Sequence, residues 1–172
     1  IANALDEQVL TRTADPEIAK GQDGWHVRDF GRGIQIQHFT QNENPEKLAS
    51  AGGVIGKFGV GLKDALATFH RNGITVTVRS RFGTYRLKTA AKTGFGDIKT
   101  LHVEYDDTPN AMVGSDVSLA GVSDESVRAA QSLFLRYSGE LPIESSVDAR
   151  GHDATLGAAP VGPASSCWIS TW

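Results

Sequence analysis

The stretch FGVGLKDALATFHRNGITVTVRS, residues 58–80, changes from a helical to a strand period and therefore decides the fold. Apolar residues recur at helical spacing in its first half, at Leu62, Leu66 and Phe69. The pair Asn72-Gly73 then supplies a helix stop. Beyond it apolar and polar residues alternate up to Arg79, which is typical of a strand with one buried face. We predict a helix over 58–70, followed directly by a strand.

The same two periods predict further elements on both sides of this stretch. Helix formers and an apolar stripe predict helices over 1–10 and 123–137. Alternation and turn residues predict strands at 16–20, 25–29, 82–90, 101–105 and one that ends at 117–119. The expected fold class is α/β (α+β): a two-layer sandwich with a mixed, mostly antiparallel sheet and helices on one face.

Two segments lack such a pattern. Residues 31–56 are rich in Gly, Asn, Gln and Glu, and a connection of this length is typical of a binding loop or lid. Residues 138–172 carry prolines and small residues without a periodic apolar face, so we expect an extended or poorly ordered tail. The expected organisation is one domain over 1–137 followed by this tail.

Composition excludes several classes of protein. The 172 residues carry 17 Lys+Arg against 20 Asp+Glu, a net charge of −3, which argues against a dedicated nucleic-acid binder. No apolar run approaches the roughly 20 residues that span a bilayer, so we expect no membrane partner and an intracellular location. The single Cys167 excludes an internal disulfide. Because the chain opens at Ile1 without Met or a signal segment, we expect a fragment or a processed product.

The histidines give no sign of a metal site. Their spacing does not match metal ligands, and His26 and His102 fall on strand faces opposite the apolar residues. We expect both side chains to be solvated.

An aspartate stands where a strand should be apolar. Asp29 shares its strand face with Trp25 and Val27, and a buried carboxylate needs a hydrogen-bond donor. Gly31 and Gly33 follow it, and two glycines let a ligand approach the backbone closely. Taken by itself, the motif favours a turn with an exposed aspartate, since such turns are common.

A glycine-rich run leads into the helix of residues 58–70. Its letters are GKFGVGL, residues 56–62, and free amides at a helix start form an anion site. Lys57 and Lys63 would add positive charge. The run is neither a Walker P-loop, which needs a closing Lys-Ser/Thr pair, nor a convincing dinucleotide fingerprint. We favour phosphate binding over a simple packing turn.

Two weaker signals lie elsewhere in the chain. Ser115 is in phase with the apolar residues of its strand, at the start of that strand's inner face. Asn3 and Asp6, three residues apart, share one face of the first helix, where an amide oxygen and a carboxylate could face a metal–phosphate group. A hydroxyl in the position of Ser115 more often satisfies the backbone than binds a ligand, and surface solvation explains Asn3 and Asp6 equally well in isolation.

The order of these motifs resembles that of the GHKL (Bergerat-fold) ATPase superfamily, the histidine kinase-like ATP-binding domains. Members include gyrase B, the large heat-shock chaperones, histidine kinases, MutL and MORC proteins. The resemblance covers about residues 1–137, and the form Phe58-Gly59-Val60-Gly61 is closest to the chaperone and MORC branch.

The resemblance implies a role for each motif in binding ATP and magnesium. Asn3 matches the asparagine that coordinates Mg²⁺ on the ATP phosphates, with Asp6 as its neighbouring contact. Asp29 matches the aspartate that accepts a hydrogen bond from the adenine amino group. The remaining implied contacts are Gly31, Gly33 and Ile34 in the adenine pocket, residues 35–55 as the ATP lid, Lys57, Phe58, Gly59, Val60, Gly61 and Leu62 at the phosphates, and Ser115, which stands where the family usually has threonine.

The resemblance also implies an ATPase whose lid closure drives a conformational change, with a homodimer possible through other segments. Its general base would be a glutamate four residues before Asn3, a position that precedes Ile1. Two alternatives stay open. One is a nucleotide-sensing or scaffold module that does not hydrolyse ATP, and the other is a histidine-kinase catalytic domain.

Overall fold

A computed structural model describes residues 1–40, 45–49, 53–56, 60–92, 94–138, 145–147 and 153–155. The chain divides into two compact units, Ile1–Ser123 and Asp124–Trp172. The predicted α+β class is confirmed. In the first unit helices accompany a six-stranded open sheet, and every pairing within it is antiparallel rather than mixed.

The sheet has the strand order β1-β2-β6-β3-β4-β5. The strands are β1 (Glu17–Lys20), β2 (Trp25–Asp29), β3 (Thr75–Ser80), β4 (Gly83–Lys92), β5 (Phe95–Asp106) and β6 (Ser115–Ala120). Short turns join β1 to β2, β3 to β4 and β4 to β5, as expected for antiparallel neighbours. β6 inserts between β2 and β3 and thereby brings the ends of three strands together.

Apolar residues on one face of the sheet build the core. A single buried cluster joins strand residues to one residue of the long helix and one of the 3-10 helix: Phe39, Leu66, Val76, Val78, Tyr85 and Leu119. Phe39 and Tyr85 lie with ring centroids 4.8 Å apart. Leu62 and Phe69 pack against this cluster, so the helical spacing seen in the sequence marks the buried face of the helix.

The helices of the first unit are α1 (Ala2–Thr11), α2 (Pro45–Ala49) and α3 (Gly61–Arg71), with a 3-10 helix at Ile36–Phe39. α3 ends at Asn72, and Gly73 has φ +70°, the left-handed conformation expected of a stop glycine. Within the predicted loop 31–56, the structure therefore describes two short helices, whereas residues 41–44 and 50–52 lie outside the described residues.

The predicted last helix, 123–137, is wrong as one element. In the second unit it is split into α4 (Asp124–Ser132) and α5 (Leu135–Ser138). The Ser132 hydroxyl donates to the carbonyl of Ala129 at 2.8 Å, and such a local bond competes with helix continuation. Most of the predicted tail lies outside the described residues. The residues described there form one antiparallel pair of strands, β7 (Ser145–Val147) with β8 (Asp153–Thr155).

The length and hydropathy of a helix decide whether it can span a membrane. Among the residues that the structure describes, no helix is both long and apolar enough to cross a bilayer.

Candidate functional site

A row of buried polar residues closes one end of the sheet. Asp29, Ser115 and Ser80 face one another in register across β2, β6 and β3. Asp29 is 9% exposed and the two serines are at most 1% exposed. Because polar groups this deep require hydrogen bonds, the row must be held by its surroundings.

The Asp29 carboxylate is held by the turn that follows it. The amide of Gly31 donates to Asp29 Oδ1 at 2.9 Å. Burial raises the pKa of Asp29, and the charge of Glu7 raises it further. The hydrogen bonds from Gly31 and Ser115 lower this pKa but do not outweigh the burial. The predicted buried acceptor at the end of β2 is thus present, and it has at least one backbone donor.

Ile34 is fixed by the same row of polar residues. Its amide donates to Ser115 Oγ at 2.8 Å, and its carbonyl accepts the hydroxyls of Ser80 at 2.6 Å and Tyr85 at 3.3 Å. The turn 31–34 therefore has a defined backbone conformation beside Asp29.

The glycines of this turn are required by close packing. A β-carbon at position 31 would lie 2.2 Å from Glu7 Cγ, and one at position 33, where φ is +87°, would lie 3.0 Å from the carbonyl oxygen of Gly114. The space beside Gly31 is filled by the Glu7 side chain, so this glycine serves protein packing here.

An ion pair joins α1 to the glycine turn. Glu7 Oε1 accepts the Arg32 amide at 2.8 Å and Nε at 2.9 Å, while Oε2 accepts Nη2 at 2.9 Å. Arg32 also donates to Glu46 of α2 at 2.7 Å. Burial by itself raises the pKa of Glu7, but Arg32 outweighs it and lowers that pKa. α1, the turn and α2 are therefore held as one group.

One residue earlier on α1, Asp6 is the centre of a second polar cluster. Its side chain is fully buried, with Oδ1 accepting the amide of Ile55 at 2.6 Å and Oδ2 that of Gly56 at 2.9 Å. The Lys47 ammonium donates to Asp6 Oδ2 at 2.7 Å and to Asn3 Oδ1 at 3.3 Å. Asn3 and Asp6 thus contact the same group, the Lys47 ammonium.

The donor atoms of this cluster fit a magnesium ion. Asn3 Oδ1 and the Asp6 carboxylate are the hard oxygens that Mg²⁺ prefers, and a cation, the Lys47 ammonium, already lies between them. Within the described part of the chain, no group of three or more His, Cys, Asp or Glu is placed to hold a metal. A divalent ion would therefore need further oxygens from water or phosphate, which is how Mg²⁺ is usually bound.

Among the described residues, nothing covers the start of α3. Gly61 is exposed, and a β-carbon there would meet no described atom within 4 Å. No described side chain caps the helix, and Val60 before it is 49% exposed. Leu62 instead packs against the core. The other three residues predicted at the phosphates, Lys57, Phe58 and Gly59, lie outside the described residues.

A separate cleft of about 250 Å³ involves the other side of β2. It is lined by Glu17, Ala19, Lys20, Gly21, His26, Arg28 and Asp116. His26 is not solvated as predicted: it is half-buried and hydrogen-bonds Asp23 at 2.7 Å and Asp116 at 3.0 Å. Burial lowers the pKa of His26, but the two carboxylates outweigh it and raise that pKa.

Sequence reasoning missed four residues of the site: Glu7, Lys47, Ser80 and Tyr85. Two had a signal, because Glu7 lies four residues after Asn3 on α1 and Ser80 ends the alternating pattern of β3. Lys47 had none, since its partners precede it by 41 and 44 positions in the chain.

Comparison with known proteins adds one relative. No family model matches the chain. The chain is similar to an uncharacterized protein of Mycoplasma pneumoniae (strain ATCC 29342 / M129), with 39% identity over 140 residues. The alignment covers 78% of this chain and 56% of that protein, so the chain spans little more than half the length of the relative. The description of that protein names no ligand or activity. The functional proposal therefore rests on the residues of the site.

Proposed function

We propose that this chain is a Mg-ATP-binding domain of the GHKL type. The observation that carries the proposal is the Asp29 carboxylate, 9% exposed and held by the Gly31 amide at the end of β2. Keeping a carboxylate this buried costs stability, which is typical of a site that needs an acceptor for a ligand.

The turn after Asp29 supports an adenine pocket. Ser115 and Ile34 are locked together beside the carboxylate, and Gly33 brings the backbone close to Gly114. A fixed acceptor flanked by rigid backbone discriminates a purine amino group from a carbonyl, because an unpaired buried acceptor is costly. In this proposal Asp29 Oδ2 accepts the adenine amino group while Oδ1 keeps the Gly31 amide.

The Asn3–Asp6 cluster supports a phosphate end for the ligand. These two residues would hold magnesium, which supplies charge neutralisation for the phosphates when bound. The open, uncapped start of α3 offers backbone amides of the kind that bind phosphate. The Glu7–Arg32 pair links α1 to the adenine turn. A single ligand with adenine at one end and phosphates at the other would use both clusters.

The proposal for the described residues is binding rather than hydrolysis. ATPase activity, a nucleotide-sensing module and a histidine-kinase catalytic domain would all use the same binding site.

Calorimetric titration of ATP with Mg²⁺ tests the proposal. Wild type should bind ATP, and Asp29→Asn should bind at least about tenfold more weakly, because a charged hydrogen bond is worth about 1.5–3 kcal/mol. Asp15→Asn is the matched control, since Asp15 is exposed and bonds Gln8 at the far end of α1. Absence of ATP binding by folded wild type, or equal binding by both variants, would refute the proposal.

A further inference from the structure

A lysine side chain occupies the place where the proposed magnesium ion would lie. Lys47 reaches from α2 to α1, with its ammonium 2.7 Å from Asp6 Oδ2 and 3.3 Å from Asn3 Oδ1. The Lys47 side chain is 14% exposed and that of Asp6 is 0% exposed. The ion pair is therefore largely removed from water.

The hydrogen bonds of Asp6 do not by themselves require this lysine. Two backbone amides, from Ile55 and Gly56, already donate to the two carboxylate oxygens. What the ammonium adds is positive charge, without which a fully buried carboxylate is strongly destabilising. A divalent cation at the same oxygens would supply that charge as well.

The lysine and a divalent cation cannot share these oxygens. Mg²⁺ binds oxygen at about 2.0–2.1 Å, so an ion on Asn3 Oδ1 and Asp6 Oδ2 would lie at close separation from the ammonium that now contacts both atoms. At that separation two cations repel strongly in a water-poor site. The backbone of Gly56 lies close to both groups, because a β-carbon added there would be 3.6 Å from Lys47 Nζ and 3.2 Å from Asp6 Oδ2.

We propose that Lys47 is a built-in counterion that occupies the cation site of the free protein and must leave when a divalent cation binds. The inference rests on the proposed function for the identity of the cation. It makes cation binding and the Lys47–Asp6 contact mutually exclusive. The cation, and any phosphate that it accompanies, would thereby release Lys47 from Asp6.

Titration of Mn²⁺ without nucleotide tests this, with free Mn²⁺ measured by electron paramagnetic resonance. Lys47→Gln should bind Mn²⁺ at least about tenfold more tightly than wild type, because the glutamine amide can still donate to Asp6 but carries no competing charge. Lys47→Arg keeps the charge and should show no gain. Lys88→Gln, which removes an exposed lysine paired with Glu104, is the matched control and should behave as wild type.

Two further arms locate the ion and guard against misfolding. Adding Asn3→Ala to Lys47→Gln should abolish the gain in Mn²⁺ affinity. If Lys47→Gln does not fold, hydrogen exchange of residues 45–49 in wild type should accelerate at saturating Mn²⁺. An unchanged Mn²⁺ affinity in folded Lys47→Gln, a gain that survives Asn3→Ala, or unchanged exchange would overturn the inference. Because no nucleotide is present, failure of wild type to bind ATP would refute the proposed function and leave this result intact.

Discussion

At the scale of single residues, the buried carboxylates of the site are held in different ways. Asp29 has the Gly31 amide as a donor and a pKa raised by burial, whereas Asp6 has two backbone amides and a lysine. An acceptor whose protein donors are neutral, as those of Asp29 are, is suited to a further neutral donor such as an amino group. A carboxylate that already neutralises one cation, as Asp6 does with Lys47, is suited to binding another cation in its place.

His26 gives the protein a pH-dependent contribution to stability. Its pKa is raised in the folded state, so the folded protein binds this proton more tightly than the unfolded chain does. The stabilisation should be complete below the unfolded pKa of about 6.5 and be lost as pH rises through the folded pKa. We expect the difference in unfolding free energy between wild type and His26→Gln to shrink from about pH 5.5 to pH 8.5.

Urea unfolding across that pH range measures this difference. The same substitution in an Asp116→Asn background should show a weaker pH dependence, because one of the two carboxylates that raise the pKa is then neutral. A difference that stays constant with pH would contradict the assignment.

Glu7 should stabilise the site more than an exposed ion pair of the same type. It accepts three hydrogen bonds from Arg32, so Glu7→Gln should lower the unfolding free energy by about 1 kcal/mol at neutral pH. Glu104→Gln, which removes the exposed partner of Lys88, should cost less than about 0.5 kcal/mol.

The pH dependence of this effect has the opposite sign to that of His26. Because the pKa of Glu7 is lowered in the folded state, its contribution should be present above the unfolded pKa and vanish as pH falls through the folded value. Denaturant titrations at neutral and acidic pH measure both effects. Equal losses for the two glutamates at neutral pH would count against the structural role of Glu7.

At the scale of elements, the turn into β6 depends on one glycine. Gly114 has φ +76°, and a β-carbon would lie 2.0 Å from the carbonyl oxygen of Asp29. Gly73 has a similar φ of +70° but open space around it. We expect Gly73→Ala to cost about 1 kcal/mol and Gly114→Ala more than about 2 kcal/mol.

Thermal and urea unfolding of the two alanine variants measures this pair. Both positions carry the same penalty for a left-handed backbone in a residue with a side chain. The additional loss of unfolding free energy in Gly114→Ala therefore measures the contact with β2. Losses of equal size would mean that β2 and β6 can separate at this end without cost.

Helices and strands were predictable where a local period fixed them. α3 and β3 follow from Leu62, Leu66 and Val76, whose spacing matches the buried face that each element presents. The break between α4 and α5 was not, because the apolar spacing of Val127, Phe134 and Tyr137 continues across it, while the Ser132 hydroxyl bonds the backbone of Ala129. Local hydrogen bonding of this kind leaves the periodic pattern unchanged.

At the scale of the whole molecule, single residues of the candidate site could be predicted from the sequence, but the contacts that hold them could not. Asp29 and Ser115 were found as polar residues in apolar phase, and β6 places them in register. Ser80 joins them only because β3 pairs with the other edge of β6. Lys47 reaches Asp6 across 41 positions of chain, a contact that no local pattern encodes.

If the site binds Mg-ATP, the ligand should stabilise the folded protein by mass action. At about 100 times the dissociation constant the gain is about 2.7 kcal/mol, which raises the melting temperature by about 5 to 10 °C. Scanning calorimetry of wild type and Asp29→Asn at one fixed ATP concentration measures this, and the variant should show a much smaller rise. Equal rises would place the nucleotide away from Asp29.

The most direct test of the central claim compares ATP with ITP, in which a carbonyl replaces the adenine amino group. In titrations with Mg²⁺, wild type should bind ATP at least about tenfold more tightly than ITP. The reason is that ITP presents a carbonyl oxygen to the Asp29 carboxylate in place of the amino group that would donate to it. Asp29→Asn should lose this preference, since the amide can donate to the ITP carbonyl. Equal affinity of wild type for the two nucleotides, or a preference for ATP that survives in Asp29→Asn, would contradict the assignment of Asp29 to adenine recognition.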